Sequence, residues 1–204
     1  IEKYFKFLEP HPYFKLGAPY KDKKKIWSLR EGVVYKLINA NKLLKTINKN
    51  YSLIIYDAWR PIEVQCFMFN LALENEFNLR GLINTEEKIN NYPDVLKKVE
   101  RFWAFPDANK KCPPPHSTGA AVDLTLIDLS GKLLNMGCEI DNMGGEAVPD
   151  FYKNSSSKDG VIWNIRRNLL KNVMCSSGFS QHPNEWWHFS FGDQLWAWQN
   201  HKKK

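Results

Sequence analysis

Helical and extended patterns in this chain do not alternate in the strand–helix–strand rhythm that builds a parallel sheet. A helical pattern over Glu31 to Asn50 leads into the β-branched and aromatic stretch "YSLIIYDAW" (Tyr51 to Trp59). A second strand pattern, "AAVDLTLID" (Ala120 to Asp128), follows only after two further predicted helices. Mixed elements joined by long loops predict an α+β fold with a mostly antiparallel sheet flanked by helices.

Proline and glycine residues set the bounds of the other elements. Pro61 suits the first turn of a helix through "PIEVQCFMFNLALENEF", and a second helix is predicted from Pro93 to about Trp103. Three consecutive prolines make residues 110–119 a loop. Residues 135–160 show no helix or strand pattern but carry several apolar side chains, which predicts a loop folded over a cleft. An amphipathic helix over residues 161–178 precedes a last strand.

The bulk properties predict one domain over residues 1–204, with residues 1–30 as an aromatic, proline-containing arm packed on it. The net charge is +7, but the lysines lie in short runs such as Lys23 to Lys25 and Lys202 to Lys204, which predicts solvated surface. No nucleic-acid-binding motif is present, and no apolar run is long enough to span a membrane. The expected partner is therefore a small molecule.

The first residue is Ile1 rather than methionine, which favours an exported, periplasmic protein over the cytoplasmic alternative. The four cysteines show no CxxC spacing, so a structural zinc knuckle is not expected. Export would permit one or two disulfides, without assigning them.

Two constellations carry residues suited to chemistry. In "HSTGAAVD", His116 leaves the proline loop, and Asp123 lies on the strand face away from Val122 and Leu124. A carboxylate in an apolar strand is costly unless it is paired or binds a metal. In "EWWHFSF", His188 follows Glu185 by three positions, so Glu185 must lie at an irregular strand entry if both reach one site.

Together, His116, Asp123 and His188 form the two-histidine, one-carboxylate set that commonly binds one catalytic Zn²⁺ and leaves a position open to water. Glu185 then suits a general base. The alternative is two unrelated buried polar networks. His182 is a rival ligand in a loop, whereas His11 and His201 lie in terminal segments and are set aside.

Arg60 ends the first strand in "YDAWRP", where it either lies on the surface, pairs with Asp57 or stabilises an oxyanion at the rim of a site. Cys112 is a weak candidate for a nucleophile, because the prolines beside it offer no helix N-terminus to activate the thiol.

"HSTGAAVDLTL", "EWWHFSFGDQLWAW" and "YDAWRP" resemble the D-alanyl-D-alanine dipeptidase family of zinc peptidases, which includes the dipeptidases of vancomycin resistance. The resemblance covers roughly residues 30–200 and implies the D,D-peptidase and Hedgehog-like fold. It implies that His116, Asp123 and His188 bind zinc, that Glu185 is the catalytic base and acid, and that Arg60 stabilises the transition state. Two positions depart from the family pattern. Pro114 replaces a serine expected near the amino end of the substrate, and Cys138 is an unusual residue in the segment after "NMG".

The sequence therefore predicts zinc-dependent hydrolysis of D-Ala-D-Ala or a close D,D-dipeptide. The enzymatic alternative is a D,D- or L,D-carboxypeptidase that acts on peptidoglycan stem peptides. The non-enzymatic alternative is a zinc-bearing binding module, which should lack either the base or the arginine.

Overall fold

The structure is a computed structural model that describes residues 1–82, 91–106 and 112–201. It has a mixed α+β fold. The strands are β1 (Lys6–Phe7), β2 (Ser52–Asp57), β3 (Ala121–Ile127), β4 (Ser180–Gln181) and β5 (His188–Ser190). The helices are α1 (Pro12–Lys15), α2 (Glu31–Ile47), α3 (Ile62–Leu79), α4 (Pro93–Glu100), α5 (Lys158–Ser176) and α6 (Gln194–Gln199).

The five strands form one sheet in the order β1-β2-β3-β5-β4. The β1–β2 pair is parallel, and the other pairs are antiparallel. The expected mostly antiparallel sheet is thus corrected to a mixed one. The parallel edge comes from the N-terminal arm, which the sequence placed outside the sheet. Because β1 covers only Lys6–Phe7, it is too short to show the period-2 pattern that predicts a strand.

Strand β3 is the centre of the core, since every one of its residues is buried. Val122, Leu124 and Leu126 share the hydrophobic cluster with Leu37 of α2 and Leu170 of α5. On the alternate face, Asp123 is buried as well. The strand therefore fixes a carboxylate inside the protein, at a position where the packing of the aliphatic face leaves it little freedom to move.

The helices and longer strands predicted from the sequence are present in the structure, and their bounds differ by only a few residues. Helix α5 begins at Lys158 rather than Val161, because the Ser157 side chain accepts a hydrogen bond from Gly160 N and caps it. Residues 135–160 are largely irregular, with one 3₁₀ turn at Gly145–Ala147. Residues 110 and 111 of the predicted loop, and the Lys202 to Lys204 run, lie outside the described residues.

The N-terminal arm packs on the body of the protein. Tyr13 and His11 are almost completely buried, and Leu8 N donates to Ile55 O at the edge of β2. All four cysteines are free thiols. None of the helices in the described residues combines the length and apolar character needed to cross a bilayer.

Candidate metal centre and catalytic cavity

Three polar residues line up across the middle of the sheet. Asp123 of β3 pairs in register with His188 of β5 on one side and with Asp57 of β2 on the other. The Asp57 pairing depends on a register shift between Ile55 and Asp57, which brings Asp57 opposite Asp123. Directly opposed residues on neighbouring strands present adjacent side chains. The sheet therefore gathers two carboxylates and an imidazole into one row.

His116 reaches the same place from the proline loop. It lies in a 3₁₀ turn, Pro115–Thr118, that ends at Gly119 with a φ of 70°. This left-handed conformation favours glycine, which reverses the chain into β3. His116 Nδ1 lies 2.8 Å from Ala58 O and donates to it. Because Nδ1 then carries the proton, the lone pair of His116 Nε2 faces the row of Asp57, Asp123 and His188.

The ligand-type atoms of these side chains converge. His116 Nε2 lies 3.1 Å from His188 Nδ1 and 3.2 Å from Asp123 Oδ2, and His188 Nδ1 lies 3.1 Å from Asp123 Oδ1. His188 Nε2 is 3.2 Å from Ser190 Oγ, which can accept its proton. Both imidazoles can therefore direct unprotonated nitrogens at a common point beside a carboxylate.

The cluster fits a metal ion. With bonds of 2.0–2.1 Å, ligands of a tetrahedral zinc lie about 3.3 Å apart, close to the observed separations. Asp123 Oδ1 is buried and has no hydrogen-bond partner of acceptable geometry, although His188 Nδ1 is near. A buried carboxylate oxygen that faces lone pairs is costly unless a cation lies between them. Of the described residues, His116, Asp123 and His188 form the metal-capable group, with ligand atoms within 4.8 Å of one another.

The charges of the cluster act on one another. Burial would raise the pKa of Asp123, but His116 and His188 outweigh burial and lower it. Burial lowers the pKa of His188, whereas Asp123 more than offsets burial at His116 and raises its pKa. The cluster therefore already favours an ionised carboxylate, which is the form that binds a metal.

Glu185 lies beside the cluster, in the turn that precedes β5. Its Oε2 is 3.5 Å from His188 Nδ1, and its side chain is buried. Burial, and then the charge of Asp123, raise the pKa of Glu185 well above its ordinary value. A divalent cation at the cluster would act in the opposite direction. The position outside β5 is the irregular strand entry that the sequence required for Glu185 to face the same site as His188.

Arg60 is buried in an ion-pair network. Its Nε and Nη2 donate to Asp57 Oδ2 at 3.0 and 2.7 Å, and Nη2 lies 3.3 Å from Asp123 Oδ2. Nη1 donates to Gln65 Oε1 at 3.0 Å, and the guanidinium lies over the Trp103 ring at 4.8 Å. Of the alternatives that the sequence left open, the pairing with Asp57 is present. Arg60 also lines the cavity described below.

The N-terminal arm supplies residues to this network. His11 Nε2 lies 3.2 Å from Asp57 Oδ1, and Tyr20 OH donates to the same oxygen at 3.4 Å. Arg60 Nη2 donates to Tyr13 OH at 3.0 Å. Setting His11 aside as a terminal residue was therefore wrong. Its proximity to Asp57 arises from the packing of the arm, which no local pattern in the sequence indicates.

Asp141 is a cavity residue that the sequence interpretation missed. It comes from the irregular 135–160 segment, where it adopts a φ of 68°. Its carboxylate accepts hydrogen bonds from Tyr13 OH at 3.2 Å and Tyr56 OH at 3.3 Å. Burial, followed by the charge of Asp123, raises the pKa of Asp141 to about 7. Its segment, "LNMGCEIDNMGGEA", resembles the Met-Gly and Asp-x-Met segment of the family, and this resemblance is the signal in the sequence that could have found it.

His182 lies close to the cluster without joining it. Its Nδ1 accepts from Asn184 N at 3.3 Å, and its ring lies edge-on to His188 with centroids 5.4 Å apart. Burial, and then His188, lower the pKa of His182 to about 3. Among the described residues the metal-capable group does not include it. His182 therefore lines the cavity wall and lies outside the metal-capable group.

These residues open onto one cavity of about 380 Å³. Its walls come from segments far apart in the sequence. They include Arg60, Gln65, the stretch from Glu100 to Phe105, the stretch from Cys112 to His116, Asp123, Asp141, His182, Glu185, Trp187, His188, Gln194 and Leu195. From residues 135–160 only Asp141 reaches it, so this segment forms part of a wall rather than a broad cover. A buried candidate metal centre with an adjacent carboxylate in a small cavity is typical of metal-dependent hydrolases.

Comparison with known proteins agrees with this class. The family model described as D-ala-D-ala dipeptidase, peptidase M15, matches residues 8–203. The chain therefore belongs to the D-Ala-D-Ala dipeptidase family. It is 40% identical over 207 residues to a D-alanyl-D-alanine dipeptidase of Synechocystis sp., covering 97% of this chain and 82% of the relative.

The chain is also similar, at lower sequence identity, to a second dipeptidase and to a solved structure. A D-alanyl-D-alanine dipeptidase of Enterococcus faecium is 32% identical over 162 residues, covering 78% of this chain and 70% of that protein. A solved structure of VanYB in complex with D-alanine-D-alanine aligns over 90% of this chain and 87% of its own, with 14% identity and a TM-score of 0.49.

Proposed function

We propose that this chain is a zinc-dependent dipeptidase that hydrolyses D-Ala-D-Ala, or a close D,D-dipeptide, to free amino acids. The observation that carries the proposal is the convergence of His116 Nε2, Asp123 and His188 Nδ1 at separations of 3.1 to 3.2 Å. Membership of the D-Ala-D-Ala dipeptidase family supports the substrate. The single hydrophobic cluster supports a single domain over residues 1–204. Export to the periplasm stays a prediction, which fractionation of the producing cells would test.

In this proposal His116, Asp123 and His188 hold one zinc ion. When bound, zinc would polarise the peptide carbonyl and lower the pKa of a water molecule. The chain's contribution is to fix the two imidazoles through Ala58 O and Ser190 Oγ and to keep the carboxylate ionised. Such outer hydrogen bonds orient metal ligands and typically matter for affinity about 10- to 100-fold.

Glu185 is proposed as the general base and acid. It is buried next to His188 but is not one of the three ligands, so its carboxylate is available to a water molecule in the cavity. It would take the proton of the attacking water and return a proton to the leaving amine. Its burial restricts the proton to these two partners, because bulk water has little access.

Arg60 is proposed to stabilise the negative charge that develops on the carbonyl oxygen. Its support is a permanent charge at the cavity wall, held rigidly by Asp57 and Gln65. Because such a contact is strongest in the transition state, Arg60→Lys should lower kcat more than it raises KM. Arg60→Ala is a poorer test, since it also leaves Asp57 buried without its cation.

Two features of the cavity favour a dipeptide enzyme over a binding module. The base and the arginine are both present at the wall, whereas a module that only binds zinc needs neither. Asp141 also places a carboxylate at the wall, where it suits the ammonium group of a free dipeptide.

The test combines metal content with turnover. Purified protein should contain one zinc per chain by elemental analysis, and it should cleave D-Ala-D-Ala in preference to L,D- and L,L-dipeptides. His188→Ala should lose both zinc and turnover. Full activity of a metal-free preparation, or unchanged zinc in His188→Ala, would contradict the proposal.

A further inference from the structure

A free dipeptide carries a terminal carboxylate as well as an ammonium group, and the cavity must accommodate both charges. Of the described residues that line it, Arg60 and Arg101 carry permanent positive charges. Arg60 is committed to Asp57, Asp123, Gln65 and Tyr13 through its Nε and both Nη atoms. Arg60 therefore has no pair of free N–H donors for a carboxylate from outside, which leaves Arg101 as the better partner for such a bidentate contact.

Arg101 follows helix α4 and is fixed at the cavity rim by a reciprocal pair of hydrogen bonds. Its Nε donates to Asn184 Oδ1 at 3.0 Å, and Asn184 Nδ2 donates back to Arg101 O at 3.2 Å. The guanidinium lies over the Phe102 ring at 5.5 Å. Because Asn184 precedes Glu185, these bonds hold the guanidinium next to the segment that carries the proposed base.

This arrangement leaves one edge of the guanidinium available. Asn184 Oδ1 accepts the hydrogen bond from Nε. Neither Nη atom forms a hydrogen bond to another residue in the described ranges 1–82, 91–106 and 112–201. Within the same ranges Arg101 forms no ion pair, although Glu100 precedes it. The two Nη groups present parallel N–H donors that match the two oxygens of a carboxylate. Holding the side chain at Nε reduces the entropy that binding would otherwise cost.

Arg101 and Asp141 belong to different walls of the cavity. Asp141 contacts Tyr13 and Tyr56, whereas Arg101 contacts Asn184, and its charge contributes to the lowered pKa of His182. Opposite charges on separate segments of the cavity lining suit the two charged ends of a zwitterion. The row of metal-capable residues lies in the same cavity.

We propose that Arg101 is a specificity residue that binds the terminal carboxylate of the substrate through its two Nη groups. The inference rests on the proposed dipeptidase function and deepens it. It makes the enzyme selective for a free carboxyl end, because an uncharged carboxamide cannot form the same charge-assisted pair. Asn184 is the positioning residue for Arg101.

The test compares D-Ala-D-Ala with its carboxamide, D-alanyl-D-alaninamide, on Arg101→Gln, Arg101→Lys and the wild-type enzyme. Arg101→Gln should lower kcat/KM for the free acid roughly 10- to 100-fold, mainly through KM, which is the usual size of a lost hydrogen bond to a charged group. Its kcat/KM for the carboxamide should not change. For Arg101→Lys, kcat/KM for the free acid should lie between the values for the wild type and for Arg101→Gln, because lysine keeps the positive charge but lacks the two parallel Nη donors.

The matched control is Arg80→Gln, which removes another surface arginine, paired with Asp94 and outside the cavity lining. It should leave both substrates unaffected, and all variants should keep wild-type zinc content and melting temperature. An equal loss on acid and carboxamide, or no loss on the acid, would overturn the role of Arg101. Failure of the wild-type enzyme to cleave D-Ala-D-Ala would instead refute the proposed function itself.

Discussion

Residue by residue, the site divides its carboxylates into two kinds. Asp57 and Asp123 are buried, which alone would raise their pKa values, but Arg60 acts on Asp57 and His116 on Asp123 to lower them. Burial dominates at Glu185 and Asp141, where it raises both pKa values. Groups whose environments push their pKa values apart are suited to different roles. The first pair suits fixed charge, and the second suits proton transfer or binding of a cation.

The role of Glu185 can be tested by an isosteric change. Glu185→Gln removes the proposed base but keeps the shape of the side chain, so turnover should fall on the order of 10²–10⁴-fold. Zinc content should stay at the wild-type level, because Glu185 is not one of the three proposed ligands. The control is Glu139→Gln, an exposed carboxylate outside the cavity lining, which should keep full turnover. Near-normal turnover of Glu185→Gln would assign the base to another group.

The raised pKa of Asp141 has a consequence for stability in the metal-free protein. With a folded pKa of about 7, above its ordinary value of 3.8, Asp141 binds more protons in the folded than in the unfolded state between those limits. The free energy of unfolding contributed by Asp141 is therefore fully present at low pH and is lost as the pH rises towards 7.

Asp141→Asn should remove this loss, because asparagine does not titrate, although its single side-chain oxygen replaces only one of the two carboxylate oxygens that accept from Tyr13 and Tyr56. Urea denaturation with a chelator, at about pH 5 and about pH 8, should show a smaller drop in the variant than in the wild type. An equal drop in both proteins would mean that Asp141 ionises normally.

His116, Asp123 and His188 could be selected from the sequence because polar residues stand out in apolar strands. The structure brings these three together. The partners around them could not be selected in the same way. Asp57 joins the row through a register shift in β2. His11 reaches Asp57, and Asp141 reaches the cavity wall, through the packing of irregular segments. Such contacts depend on tertiary packing, which local periodicity does not encode.

Between elements, helix α5 holds the segment that carries Asp141. Arg167 of this helix is buried, and it donates to Met136 O at 2.7 Å and to Val148 O at 2.9 Å. Its guanidinium also lies over the Trp186 ring at 5.3 Å, next to Glu185. One side chain thus joins two parts of the 135–160 segment to the turn before β5. The amphipathic pattern predicted this helix, but it gave no reason to bury an arginine there.

Arg167→Met should loosen this connection. The variant keeps much of the apolar stem but leaves two carbonyl groups without their donor, which costs about 1–3 kcal/mol for each group. The free energy of unfolding should therefore fall by about 2–6 kcal/mol. Amide hydrogen exchange should increase over residues 136–148 more than in β3. The matched control is Arg166→Met, since Arg166 forms an exposed bond to Asn135 O of the same segment. Equal effects of both variants would contradict a special role of Arg167.

Across the whole molecule, the cavity exists only where distant segments meet. Residues 100–105, the proline loop, Asp141, the turn before β5 and helix α6 each contribute a wall, and the N-terminal arm supports Arg60 from behind. The fold class and the position of β3 follow from sequence patterns, since long elements carry strong periodicity. The parallel edge and the shape of the cavity do not, because both arise from how irregular segments pack.

The volume and the lining of the cavity lead to a prediction about substrate length. The cavity of about 380 Å³ is at the small end of ligand pockets, and its Asp141 wall is backed by the hydroxyl groups of Tyr13 and Tyr56. A free dipeptide brings an ammonium group to that carboxylate. A stem pentapeptide ending in D-Ala-D-Ala has a neutral amide at the same position and must continue past the wall. We therefore expect cleavage of the dipeptide and little or no cleavage of the pentapeptide.

A competition assay with both substrates at equal concentration tests this expectation directly. Asp141→Asn should reduce the preference for the dipeptide over the pentapeptide by lowering cleavage of the dipeptide alone. The substitution removes the charge that pairs with the ammonium group, while the wall itself stays in place. Pro114, where the resemblance implies a serine near the amino end of the substrate, lines the cavity and offers no hydroxyl group. Discrimination at this end is then expected mainly from the charge of Asp141. Comparable cleavage of dipeptide and pentapeptide by the wild-type enzyme would favour the carboxypeptidase alternative over the dipeptidase.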